Sequence, residues 1–130
     1  MDLFNNLCQL SKLEEMAIIG RTSDNYEIVV FTNDPGKIPH FHYRDASTRG
    51  SIFHTCIRLD KPDYFLHECK TDKLNTKQKK ELIKFLNANA NKGKYFSGTN
   101  WNYLVAMWNN ENNSDVYIDE DIIMPDYKQL

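Results

Sequence analysis

The sequence is poor in the features that usually announce a function. It has three cysteines, Cys8, Cys56 and Cys69, with no CxxC pair. That excludes a disulfide-dense scaffold and points to reduced thiols in a cytoplasmic protein. No stretch approaches the ~20 consecutive apolar residues needed to cross a bilayer, so no membrane partner is expected. The first twenty residues lack a basic start and an apolar run and carry Asp2, Glu14 and Glu15, which is not the pattern of a secretory signal. An excess of charge is missing too: the formal net charge is −2, giving no global drive toward nucleic acid or anionic lipid. There is no internal repeat and no long Gly/Ser linker, so residues 1–130 read as one domain. Nucleophile elbow, P-loop, dinucleotide fingerprint and HExxH helix are all absent.

What is present suffices for a fold. The chain is 41% hydrophobic and 12% aromatic, enough at this length to bury a core without disulfides or a structural metal. Leu3, Leu7 and Leu10 recur at helical spacing and predict a short N-terminal helical segment, with Ser11 and Glu14 as a capping box for a further turn. The β-branched and aromatic run 25–32, stopped by Asn33, Asp34, Pro35 and Gly36, predicts a first strand. Residues 40–45, 52–60 and 64–69 predict three more, giving a four-stranded antiparallel meander. Asn75 and Gln78 then open a helix over 76–90. A second follows Thr99, with Trp101, Leu104, Val105 and Trp108 at i, i+3, i+4 and i+7 closing the core. The acidic tail, with Tyr117, Ile118, Ile122, Ile123 and Met124, is expected to pack in part, as a short strand. The fold class is α+β.

Strand alternation makes the sequence more informative. Phe41 and Tyr43 face one way, while His40, His42 and Arg44 face the other. In the next strand His54, Cys56 and Arg58 lie opposite Phe53, Thr55 and Ile57. Setting Arg44 opposite Ile52 places His42 by His54 and His40 by Cys56. The following hairpin, with Leu59 by Tyr64, places Ile57 by Leu66, Cys56 by His67 and His54 by Cys69. His40, His42, His54, Cys56, His67 and Cys69, with Arg58 beside them, form a candidate functional face. Imidazole and thiolate are ligands for zinc and other late transition metals, and imidazole also suits acid/base chemistry. The plain alternative is a set of ordinary strand residues. Because side chains along a flat sheet point in parallel, the expectation is a cluster without a tightly held metal and without a cofactor.

The run Asp34, Pro35, Gly36, Lys37, Ile38, Pro39, His40, Phe41, His42 resembles the signature of a bacterial family of small uncharacterised domains that carry Pro-His-Phe-His after a first strand. The likeness extends loosely from about Tyr26 to Asn109. It implies a small α+β fold and an association with toxin/antitoxin or phage-related modules. His40 and His42 match the motif, and no established role comes with them.

Charge is polarised along the chain. Between Lys70 and Lys94 eight lysines meet only Asp72 and Glu81, a balance of +6, while from Glu111 onward six acids meet only Lys128, a balance of −5. The basic stretch contains no arginine, which weakens a phosphate-binding reading. The expectation is therefore a non-catalytic module for a protein partner, with no specific nucleic acid. A small metal-dependent enzyme or sensor on the His/Cys face is the alternative.

Overall fold

The computed structural model describes residues 16–32, 38–65 and 72–130. The expected N-terminal helical segment, His67 and Cys69 lie outside them. Four strands, β1 (Met16–Arg21), β2 (Tyr26–Phe31), β3 (His40–Asp45) and β4 (His54–Arg58), form one sheet in the order β1-β2-β3-β4. All neighbours are antiparallel. Two helices follow, α1 (Thr76–Asn87) and α2 (Asn100–Glu111). The α+β meander with two C-terminal helices is the expected architecture, with a different strand at its start. The meander begins at Met16 rather than Asn25.

At the other end, the expected strand over 64–69 is represented among the described residues by a single bridge, Ile57 to Tyr64. Leu66 to Cys69 are not described. The strand β1 is weakly signalled because it is a short edge strand that buries only Ile19 fully and carries a bulge between Ile18 and Gly20. Gly20 has a packing reason. A β-carbon there would stand 2.6 Å from the ring of Phe85 on α1, so the strand approaches the helix only where a side chain is missing.

One face of the sheet carries Ile28, Val30, Phe41, Tyr43 and Ile57 into the main core. Against it α1 sets Leu82 and Leu86, and α2 sets Trp101, Leu104, Val105 and Trp108. Both helices start with full capping boxes, Asn75 with Gln78 and Thr99 with Asn102. Each reciprocal pair satisfies backbone donors that the first turn leaves without intrahelical partners. Helix α1 stops at Asn87, short of the expected Ala90, because the side chain of Asn100 donates to the Phe85 carbonyl (2.8 Å) and Ala90 N–H bonds Gly98 O (2.9 Å). The chain is drawn out of the helix into the turn that starts α2.

The acidic tail forms no strand. It makes short 3-10 turns at Ser114–Val116 and Tyr127–Gln129 and is held by side chains of α2. Trp101 Nε1 donates to Ile122 O (3.0 Å) and Trp108 Nε1 to Val116 O (2.8 Å). Asn109 both donates to Ile118 O and accepts from Ile118 N–H, each at 2.9 Å. Tyr127 is fully buried and donates its hydroxyl to Arg58 O at 2.5 Å. Burial pushes its phenol pKa well up. Among the described residues no helix is long and apolar enough to cross a membrane.

Candidate metal centre

On the central strands the second face of the sheet is buried as well. On β3 all six residues are buried, so His40, His42 and Arg44 are not a solvated surface. The expected pairing needs correction by two residues: Arg44 stands opposite His54, His42 opposite Cys56 and His40 opposite Arg58. The bridge from Ile57 to Tyr64, where Leu66 was expected, shifts the next hairpin by two as well. An even shift keeps every side chain on its face, which is why the cluster survives the error.

The reason for the shift lies in the loop after β3. Asp45, 7% exposed, accepts from the backbone N–H groups of Thr48 (2.8 Å), Phe53 (2.9 Å) and Ile52 (3.2 Å), and from the Thr48 hydroxyl. Arg49 and Gly50 adopt positive φ of 52° and 91°, the region where glycine is unstrained. This carboxylate-centred loop takes in Ile52 and Phe53 and starts β4 at His54. Burial alone would raise the Asp45 pKa, but its hydrogen bonds outweigh burial and hold it below the usual carboxylate value.

His40, His42 and Cys56 converge. Each offers one ligand atom, and these atoms lie within 4.8 Å of one another. All three residues are 0% exposed. Cys56 Sγ is 3.4 Å from His42 Nδ1 and 3.8 Å from Nε2. The His40 Nδ1 lies 2.6 Å from the Ile38 carbonyl. A carbonyl only accepts, so Nδ1 carries the proton and the lone pair is on Nε2. His42 Nδ1 lies 2.8 Å from His54 Nε2, so His54 can take the same orienting role for His42 that Ile38 O takes for His40. Imidazoles that bind metal through one nitrogen and give the other N–H to an acceptor have this arrangement.

Aromatic rings wall the cluster. Phe31 stands edge-on to His42 at 4.5 Å between ring centroids, and Phe65 and Trp108 flank His40 at 4.7 and 5.1 Å. In the next row a buried ion pair, Arg44 Nε to Glu27 Oε1 at 2.6 Å, lies below Phe31, with the guanidinium 5.7 Å from that ring. The pair adds no net charge beside the cluster.

Of the expected face, His40, His42 and Cys56 come together and His54 stands behind His42. Arg58 is half-buried at the end of β4 and turned to Asp60, to which its Nε and Nη2 donate at 2.8 and 2.7 Å. It does not join the group. The wall residues Phe31 and Glu27 were legible in principle, since they alternate with Ile28 and Val30 on β2, but only once β2 was paired to β3. The Ile38 carbonyl carries no side-chain signal at all. No family model, curated protein or solved structure matches the chain.

Proposed function

We propose that this is a metal-binding domain that holds a late transition metal, zinc foremost, between His40, His42 and Cys56. The observation that carries this reading is the convergence of two imidazoles and one thiol within 4.8 Å, all buried. Ligands of one tetrahedral zinc lie about 3.5 Å apart, given bonds of ~2.0–2.3 Å. The group is therefore a small side-chain adjustment from a binding geometry. The parallel side chains expected of a flat sheet are not what β3 and β4 present here. Nitrogen and sulfur donors favour zinc, copper or nickel over magnesium or calcium. Three protein ligands leave the fourth tetrahedral position to another donor, and the burial of all three limits the access of a substrate to it.

The test uses the full chain purified without a metal-affinity tag. Elemental analysis is expected to find one zinc per chain, or stoichiometric uptake by the stripped protein. Cobalt in its place should give a thiolate-to-cobalt charge-transfer band that disappears in Cys56→Ser. Protein that neither retains nor takes up zinc or cobalt would sink the reading.

A second reading, a module that binds a protein partner, is supported by large apolar side chains on the surface. Ile123 and Tyr117 are 87% and 57% exposed although the tail around them is pinned to α2.

A further inference from the structure

We propose that the chain pairs with a second copy of itself, each copy inserting the Ile123 knob and its flanking acids into a lysine-rimmed groove on helix α1 of the other. The proposal gives the partner-binding reading an occupant, and it is independent of the metal.

The groove lies along the first turns of α1. It has a volume of about 390 Å³ and is lined by Thr76, Lys79, Lys80, Ile83 and Lys128. Lys128 reaches it because the turn Tyr127–Gln129 packs on α1. The floor is Ile83 and the aliphatic stems of the lysines, and long cationic side chains commonly bury their stems in this way while keeping the ammonium in water. Among the described residues none of the three lysines has an ion-pair partner. The groove therefore presents an apolar slot under three uncompensated positive charges, at the end of α1 where the helix dipole is positive as well.

The same molecule carries the complement. Asp119, Glu120 and Asp121 are exposed, and Ile123 beside them is 87% exposed. The segment is held rather than loose. Ile122 O accepts from Trp101, Ile118 is bonded twice to Asn109, and Asp121 N–H caps on Asp119 Oδ1 at 2.9 Å. Ile118, Ile122 and Met124 face the core, which leaves Ile123 outward on a fixed backbone. A presented apolar knob with acids beside it loses little conformational entropy on docking.

Only four residues separate Ile123 from Lys128, so knob and groove lie within about 18 Å of each other along the chain. Two neighbouring complementary patches allow a reciprocal, two-fold contact in which each copy gives a knob and receives one. That arrangement closes as a dimer, where a head-to-tail contact would form a ring or propagate into a filament.

The experiment is sedimentation velocity on the full chain over a wide concentration range, at low and high salt. The expected mass rises with concentration from 15.3 kDa toward twice that value, and salt weakens the association. Ile123→Asp and, separately, the pair Lys79→Glu with Lys80→Glu should each raise the dissociation constant at least about tenfold. Each should melt at the temperature of the parent diluted to monomer, which shows that the variants fold. Adding Glu120→Lys and Asp121→Lys to the reversed lysines should restore association. A chain that stays monomeric at every concentration, or a dimer that persists unchanged in either variant, overturns the proposal.

Discussion

Trp108 shows how a single side chain joins the two halves of the molecule. Its ring has no exposed surface, packs in the core, flanks His40 at 5.1 Å and donates to Val116 O. One residue therefore supports the sheet, α2, the tail and the wall of the histidine cluster. Trp108→Ala should destabilise the fold by about 3–5 kcal/mol, the range for truncating a buried aromatic, with an added loss from the Val116 carbonyl left unpaired. A denaturant midpoint equal to that of the parent protein would show that the ring contributes no packing. This residue was legible from the i, i+3, i+4, i+7 stripe alone. Tyr127 was not, since it stands in a short turn with no periodicity and is buried by long-range contacts, its ring against Phe41 and Trp101 and its hydroxyl on Arg58 O.

At the scale of elements, those with local signals are legible in the sequence and those fixed by long-range contacts are not. The capping residues Asn75 and Thr99 mark helix starts within the sequence itself, and α1 and α2 begin one residue after them. The strand β1 has no comparable mark, because its existence depends on pairing with β2 and on the space Gly20 leaves for Phe85. The β3–β4 register depended on one carboxylate. Asp45 gathers three backbone N–H groups and the Thr48 hydroxyl, and nothing in residue type alone says that an Asp at a strand end will do so.

That loop gives a pH prediction. The folded-state pKa of Asp45 is lowered by its hydrogen bonds, so its contribution to stability is fully present above the unfolded value of about 3.9 and is lost as pH falls through the lower folded value. Asp45→Asn should cost about 1.5–3 kcal/mol at neutral pH, the range for hydrogen bonds to a charged group. The cost should shrink as the pH is taken below 4. Urea midpoints of the two proteins from neutral pH downward measure this directly. A gap between them that stays constant into acid would show that the Asp45 carboxylate is not the group whose charge holds the loop.

On the scale of the whole molecule, the sheet away from its β1 edge is buried on both faces, and the two faces differ in chemistry. One is a hydrocarbon core under two helices, and the other sets His40, His42 and Cys56 among aromatic rings above a Glu27–Arg44 pair. Alternation along β3 and β4 was enough to sort side chains between the faces, and the two-residue register error did not disturb that sorting. Convergence of the ligand atoms was not legible, because it depends on rotamers and on the Ile38 carbonyl and His54 as orienting partners.

If a metal occupies this centre, it ties β3 to β4 in the folded state and has no comparable site in the unfolded chain. Binding then adds RT ln(1 + [metal]/Kd) to stability, about 4 kcal/mol at a thousandfold excess over the dissociation constant. For a domain of this length each kcal/mol shifts the melting temperature by roughly 3–6 °C. Zinc added to stripped protein should therefore raise the melting temperature by about 12–24 °C, and a chelator should return it to the starting value. The variants Cys56→Ser and His40→Ala, melted without metal, separate lost coordination from lost packing: Cys56→Ser should melt near the stripped parent, His40→Ala below it because the truncated ring is fully buried, and each should respond little to zinc. A zinc-induced shift of the same size in Cys56→Ser as in the parent would place the metal elsewhere on the chain and leave His40, His42 and Cys56 as a buried polar cluster of the sheet.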